Sequence, residues 1–190
     1  MRESLHIIKQ EHRNLFRVVN MMDQILRSLK PGETPDFSFL DDVLDYIETF
    51  TDVYHHPKED LFLFRLLRQR DAGAEAIIEE LEEEHQRCPV SLKAVKDGLA
   101  AFRAQGPEGL ETFRALAADY LRFQTKHLQK EEGIVLPLAM RALTEEDWAE
   151  IDTAFRDNAD PVFGPQGRAE TRSLYSRIVN EAPAPFGFGD

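Results

Sequence analysis

The strongest constraint on the fold is a set of four amphipathic stretches, each with a histidine at a position where the pattern requires an apolar side chain. In the first stretch, from Leu5 to Lys30, apolar residues recur at steps of three and four, and His12 occupies the step that they skip. His85 interrupts the third stretch, between Ile78 and Phe102, in the same way. Such steps place residues on one face of a helix. The pattern therefore predicts α-helices whose buried faces carry histidines.

The second stretch, from about Ser38 to Arg70, and the fourth, from about Gly109 to Leu143, each carry a histidine followed four residues later by a glutamate. The two pairs are His55 with Glu59 and His127 with Glu131. Side chains four residues apart point the same way from a helix. Each pair therefore aims an imidazole and a carboxylate at the interior. Pro57 lies inside the second stretch and predicts a kink there.

Short turns that contain glycine and proline separate the four stretches, which is typical of an all-α, up-and-down four-helix bundle. Two short helices are expected after the bundle. The first, around Trp148 to Phe155, follows the capping-box sequence Thr144–Asp147, and the second covers residues 170–179. We expect a single domain with the bundle over residues 1–143 and a helical extension with a loose tail over residues 144–190.

An internal repeat relates the polar residues of the two halves. Glu11-His12 recurs as Glu84-His85 at an offset of 73, and His55 and Glu59 recur as His127 and Glu131 at an offset of 72. The chain thus resembles two similar helical hairpins. The distance of each histidine from its turn, at about 1.5 Å per residue, predicts that all four helices place their histidines in one layer of the bundle.

Four imidazoles and two carboxylates in a buried layer predict a metal centre. Buried ionised groups without partners cost several kcal/mol each, and two cations would remove that cost. Imidazole with carboxylate suits iron, manganese or zinc better than calcium or magnesium, which prefer oxygen ligands. The structural alternative is a plain helical bundle whose histidines are only hydrogen-bonded.

Three neighbouring residues leave alternatives open. His56 pairs by spacing with Asp60 and is either an additional ligand or a histidine on the solvent side. Glu132 and Asp60 each follow one of the favoured carboxylates and are second choices as ligands. His6 lies six residues before His12, which places it well around the helix.

The motifs HHPKEDLF, EEEHQR and KHLQKEEGIVLP resemble those of the hemerythrin-like, HHE cation-binding proteins of bacteria, over about Leu5 to Leu143. The segments DWAEID and DPVFG also resemble the C-terminal extension of a bacterial subgroup. The resemblance implies a non-haem centre with two iron ions. Carried over by position, it implies the ligands His12, His55, Glu59, His85, His127 and Glu131.

The third stretch departs from hemerythrin. Hemerythrin has two histidines four residues apart on its third helix, whereas the positions four residues from His85 are Leu81 and Pro89. Some relatives fill that place with a residue next to the second-helix histidine, which here is His56, and this adds His56 to the expected ligands. Hemerythrin also spaces its fourth-helix carboxylate five residues after the histidine, which favours Glu132 and leaves the choice between it and Glu131 open.

The function that the resemblance implies is binding of dioxygen or a related small ligand such as nitric oxide, or of iron itself, for sensing, storage or delivery. The alternative is a di-iron enzyme that acts on oxygen, peroxide or nitric oxide, or that aids iron-sulfur cluster repair. No motif for a catalytic nucleophile is visible, which favours the binding protein over the enzyme.

Composition excludes other classes of function. The formal charge of −12 and pI near 5.0 oppose binding to nucleic acid or to anionic membranes. Cys88 is the one cysteine, so no intramolecular disulfide and no multi-cysteine zinc site can form. A polar N-terminus and the lack of a long apolar window predict a soluble, cytoplasmic protein. A homodimer is left open.

Overall fold

The computed structural model describes residues 2–30 and 32–156, and these residues form helices and their connections without any strand. Four long helices precede one short helix. They are α1 (Glu3–Ser28), α2 (37–70), α3 (Glu75–Gln105), α4 (110–142) and α5 (Glu145–Arg156). Each long helix packs against the next, and α4 closes the bundle against α1. The predicted all-α bundle is confirmed.

Two of the long helices contain π-helical segments, in which each hydrogen bond spans one more residue than in an α-helix. In α2, π-helical segments cover Glu48–His55 and Glu59–Phe64, with Pro57 between them. In α4, one covers Glu131–Val135, and Pro137 follows it. Proline lacks an N–H group and disturbs the α-helical ladder. π-helical turns occur frequently at functional sites.

The core consists of two apolar clusters that lie on either side of the histidine layer. Along α1, for example, His12 lies between Ile8 of one cluster and Leu15 of the other. The cluster on one side includes Leu15, Leu44, Leu92 and Phe113, and the cluster on the other includes Ile8, Phe64, Ile78 and Leu136. The polar layer is therefore closed off by apolar side chains at both ends.

The short helix α5 begins at the predicted capping box. The Asp147 N–H donates to Thr144 Oγ1 at 3.3 Å, and the Thr144 N–H donates to Asp147 Oδ2 at 2.9 Å. Trp148, Ile151 and Phe155 are buried in the same apolar cluster as Ile8. The first predicted extra helix is therefore confirmed, whereas the second, over residues 170–179, and the tail lie outside the described residues.

The first long helix is slightly shorter than the sequence pattern predicts. The helix α1 ends at Ser28 rather than Lys30, because Leu29 already has an extended backbone with φ −62° and ψ 127°. In the part of the chain that the structure describes, no helix combines the length and the apolar character needed to cross a membrane. The division at residue 143 stays a prediction.

Candidate metal centre

Five histidines and two glutamates from the four long helices meet in the layer between the two apolar clusters. All seven side chains are buried. Helix α1 contributes one, α2 three, α3 one and α4 two; the residues are His12, His55, His56, Glu59, His85, His127 and Glu131. The structure thus brings together every residue of the predicted ligand set, whereas His6 is exposed on α1.

The seven side chains form two groups that are each compact enough to surround a cation. In the first group, one donor atom from each of four residues lies within 4.8 Å of all the others: His12, His55, Glu59 and Glu131. In the second group, one nitrogen from each of three imidazoles lies within 4.8 Å of the other two: His56, His85 and His127. Nε2 of His85 and Nε2 of His127 are only 3.2 Å apart.

The carboxylate of Glu131 lies between the two groups. Its Oε2 is 3.4 Å from His12 Nε2 in the first group. Its Oε1 is 3.0 Å from His127 Nε2 and 3.6 Å from His85 Nε2 in the second group. Each oxygen therefore faces a different group, which is the arrangement that a bridging carboxylate needs.

The carboxylate of Glu59 reaches both groups as well. Oε1 is 3.6 Å from His12 Nε2, and Oε2 is 3.5 Å from His55 Nε2. The same Oε2 is 3.8 Å from His85 Nε2, in the second group. Both glutamates are thus shared by the two groups, one from each half of the internal repeat.

Most of the atoms that face the middle of this layer have no hydrogen-bond partner of normal geometry among the described residues. Both oxygens of Glu59 and of Glu131 are buried and unpartnered, as is Nε2 of His12, His55 and His56. An unpartnered buried polar group is costly, and a buried charge more so. The donor set is nitrogen and oxygen, which suits iron, manganese or zinc. The residues present therefore fit a pair of divalent cations.

Each of the five histidines also has a carboxylate near Nδ1, the ring nitrogen that faces away from the middle of the layer. Nδ1 of His55 donates to Glu11 Oε2 at 2.9 Å, and Nδ1 of His127 approaches Glu84 Oε2 at 3.0 Å. A carboxylate on Nδ1 fixes the ring orientation and leaves Nε2 free for a metal. Glu11 and Glu84 are equivalent in the repeat, so the two halves hold their second histidine in the same way.

A second pair of carboxylates holds the first histidine of each half. Nδ1 of His12 lies 3.1 Å from Glu132 Oε1, and Nδ1 of His85 lies 2.7 Å from Asp60 Oδ1. These acids were the second choices as metal ligands from the sequence. Their carboxylates contact the outer nitrogens of the imidazoles, and the Glu132 side chain is 41% exposed whereas that of Glu131 is 1% exposed.

His56 lies inside the layer and not on the solvent side. It is 5% exposed, and its ring stacks on that of His85 with the centroids 4.0 Å apart. His55 and His56 are consecutive, so a regular α-helix would point them about 100° apart. A π-helical segment ends at His55, so the helix is not regular at this pair. Both side chains point into the layer.

The charges of the layer alter the pKa values of its histidines. Burial opposes protonation, but the hydrogen bonds and negative charges of nearby carboxylates outweigh it. They raise the pKa to about 10 for His12 and His85 and to about 9 for His127. His56 differs, because burial and three neighbouring imidazoles lower its pKa well below the usual value. His56 is therefore neutral and able to donate a nitrogen lone pair to a cation.

Comparison with known proteins agrees with this geometry. The family model described as the hemerythrin HHE cation binding domain matches residues 3–139. The chain belongs to the hemerythrin HHE cation-binding family. Members of this family bind metal cations, and in this hemerythrin-like chain the clusters of histidine and glutamate provide side chains that can do so.

The curated relatives are mycobacterial proteins without an assigned function. The uncharacterized proteins Rv1995 of Mycobacterium tuberculosis and Mb2018 of Mycobacterium bovis are each 23% identical to the chain over 160 residues. The match covers 84% of this chain and 62% of each relative. The chain therefore spans less than two thirds of the length of these relatives.

The sequence repeat includes some of the carboxylates that contact Nδ1 of the histidines, but it does not show which histidine each one contacts. Glu11 and Glu84 precede His12 and His85 in both halves of the repeat, but their contacts are with the histidines of the neighbouring helices. That pairing depends on how the helices pack. Asp52 Oδ1 lies 3.7 Å from His56 Nδ1. The repeat did not point to Asp52, because the equivalent position 72 residues later is Gln124.

Proposed function

We propose that this hemerythrin-like chain holds two iron ions and binds dioxygen or a related small ligand, such as nitric oxide, at that centre. The observation that carries the proposal is the pair of unpartnered carboxylates shared by two groups of imidazoles. Shared carboxylates hold two cations close together, and imidazole with carboxylate is a donor set that iron accepts. Manganese and zinc are the alternatives that metal analysis would detect.

The two groups differ in the number of donors that they offer. The first has two imidazoles, from His12 and His55, together with the shared carboxylates. The second has three imidazoles, from His56, His85 and His127. Non-haem iron bound by two histidines and carboxylate keeps open positions for an exogenous ligand. We therefore assign the small-ligand position to the side of His12 and His55.

The surroundings of the layer restrict access by water. Phe50 stacks on His55 with a centroid separation of 5.7 Å, and Phe64 stacks on His85 at 5.5 Å. Both phenylalanines are buried in the core. An apolar shell controls solvent access and the local dielectric around a metal site. If the layer holds two iron ions, the iron would supply the electrons that dioxygen binding requires.

The carboxylates outside the layer complete the roles of the protein. Glu11 and Glu84 hold Nδ1 of His55 and His127, so that the protonated nitrogen faces outward and Nε2 faces the centre. These contacts fix the tautomer and increase the donor strength of each imidazole. The chain thereby keeps its donor atoms oriented before any cation arrives.

Metal analysis and optical spectroscopy test the proposal on the full chain. The metal-depleted protein is loaded with iron(II) without oxygen, and its spectrum is recorded under argon, in air and under argon again. Two iron ions per chain and a charge-transfer band that is reversible would support ligand binding. Turnover of peroxide or nitric oxide without such a band would favour the enzyme, and a protein that takes up no metal would contradict both.

A further inference from the structure

A third group of donor atoms lies beside the layer. One donor atom each from Asp52, His56 and Cys88 lies within 4.8 Å of the other two. Asp52 and His56 are one helical turn apart on α2, and Cys88 is on α3. The His56 ring lies between two environments, since Nδ1 is 3.7 Å from Asp52 Oδ1 while Nε2 is an unpartnered buried atom of the layer.

The carboxylate of Asp52 shows the same lack of partners as the shared glutamates. Both of its oxygens are buried, and neither has a hydrogen-bond partner of normal geometry among the described residues. The thiol of Cys88 interacts with this carboxylate, but a thiol is a weak donor. Asp52 is therefore a buried acid that lacks adequate compensation, and a cation would supply it.

Two polar side chains of α4 contact the sulfur of Cys88. Gln124 Nε2 donates to Cys88 Sγ at 3.0 Å, and the Tyr120 hydroxyl lies 3.6 Å from the same sulfur. Hydrogen bonds directed at a thiolate stabilise it. In the metal-free chain, burial and then the charge of Asp52 raise the pKa of Cys88 to about 12. A coordinated cation reverses this balance and deprotonates a thiol outright.

We propose that Asp52, His56 and Cys88 form an additional cation site, distinct from the two groups of the layer, for a borderline-soft divalent cation such as zinc(II). The donors are a carboxylate oxygen, Nδ1 of the imidazole and the thiolate sulfur, a mixture that zinc accepts. Binding releases the thiol proton of Cys88 and the Nδ1 proton of His56. His56 then connects the additional site to the layer through its two nitrogens.

This site was not predicted from the sequence, because the chain contains a single cysteine. A site of several cysteines is impossible in this chain, but the fold supplies the other two donors from the neighbouring helix. Three protein donors leave one position of a tetrahedral zinc site for water. The inference depends on its own donor set and shares only His56 with the proposed di-iron centre.

Cobalt(II) provides a specific probe, because Cys88 is the only cysteine of the chain. Any thiolate-to-cobalt charge-transfer absorption in the near ultraviolet therefore reports a cobalt ion bound to Cys88. When the metal-depleted full chain is titrated with cobalt(II), we expect this absorption to saturate at about one cobalt ion per chain. Addition of zinc(II) should then displace the cobalt and remove the absorption. Absence of the absorption when the protein is saturated with cobalt would overturn the proposal.

Variants separate this site from the layer. We expect the Asp52→Asn variant to need at least roughly ten times more cobalt to reach half of the maximal thiolate-to-cobalt absorption. The control is Asp45→Asn, a change at an exposed acid of the same helix, which should leave the titration unchanged. Cys88→Ser removes one cation from the total bound, provided that its helical circular dichroism is retained. If Asp52→Asn leaves the signal unchanged, the proposed donor set is wrong.

Failure of the proposed di-iron centre is distinguishable from failure of this site. Glu131→Gln alters a shared carboxylate of the layer and leaves all three donors of the additional site intact. We expect this variant to lose cations from the layer and to keep the thiolate signal. If the signal disappears together with the layer cations, Cys88 binds a cation of the layer, and no separate site exists.

Discussion

Glu131 and Glu132 are consecutive, yet the side chain of Glu131 is 1% exposed between the two groups of histidines and that of Glu132 is 41% exposed on the outer nitrogen of His12. The contrast allows a matched test. We expect Glu131→Gln to abolish binding of at least one of the two cations, because it removes a shared carboxylate. Glu132→Gln should weaken binding by about 10-fold to 100-fold while the number of cations stays the same.

Metal titration with elemental analysis measures both variants. Unfolding of each metal-free variant by urea serves as the control, since a general loss of structure would affect binding without involving the centre. Equal losses in the two variants would show that the position of the carboxylate relative to the layer does not determine its role, and would contradict the assignment of Glu131.

Cation binding should release protons. In the metal-free protein, carboxylates outweigh burial and raise the pKa values of His12 and His85 to about 10 and that of His127 to about 9. These imidazoles therefore carry protons near neutral pH, and a cation can bind only the neutral form. The affinity should rise as the pH increases toward 9 and fall as the pH decreases.

Calorimetry in two buffers with different enthalpies of protonation measures the number of protons released. We expect a clear release near neutral pH that declines as the pH approaches the raised pKa values. A heat of binding that is the same in both buffers, after correction for dilution, would mean that the imidazoles were already neutral in the metal-free protein.

The sequence predicted the helices and the layer because both depend on local periodicity. Steps of three and four place His12 and His85 on the buried stripes of their helices, and the offset of 72 or 73 residues identifies the corresponding residues of the two halves. Neither inference requires knowledge of how the helices pack. Positions along a straight helix are sufficient to predict that the histidines share one layer.

The direction of individual side chains was less predictable. Whether His56 faces the layer, and which of two consecutive glutamates does so, depends on the π-helical segments Glu48–His55 and Glu131–Val135. An inserted residue in a helical turn changes the facing of its neighbours. No periodicity in the sequence marks such an insertion, so the contacts of Glu132 and His56 became evident only in the folded chain.

Gly109 should not tolerate a side chain. An added Cβ would lie 2.6 Å from Phe102 Cα and 3.1 Å from Phe102 N, which belong to the backbone of α3 and cannot rotate away. We expect Gly109→Ala to lower the free energy of unfolding by about 1–3 kcal/mol. Gly133→Ala is the control, because an added Cβ there meets nothing within 4 Å and should raise stability by roughly 0.5–1 kcal/mol in the helix.

Urea unfolding of the metal-free proteins measures both glycine variants without a contribution from bound cations. A destabilised Gly133→Ala variant would indicate that the π-helical turn at Glu131 depends on the flexibility of glycine. Unchanged stability in Gly109→Ala would mean that the turn between α3 and α4 can move away from Phe102 at little cost.

The ion pair between Arg70 and Asp147 should make the docking of α5 sensitive to acid. Arg70 donates to the two Asp147 oxygens at 2.8 and 3.0 Å. Arg70 is the main cause that lowers the pKa of Asp147 from 3.8 to about 2. A pKa that is lower in the folded than in the unfolded state contributes stability at pH values above the unfolded-state pKa. That contribution is lost as the pH falls through the folded-state pKa.

We expect Asp147→Asn to lower the free energy of unfolding by roughly 1 kcal/mol near neutral pH. Glu146→Gln, which removes the same charge from an exposed position in the same turn, should cost less. Urea unfolding of both variants between neutral pH and pH about 2 measures the difference, which should close toward acid; a constant difference would exclude ionisation of Asp147 as its cause.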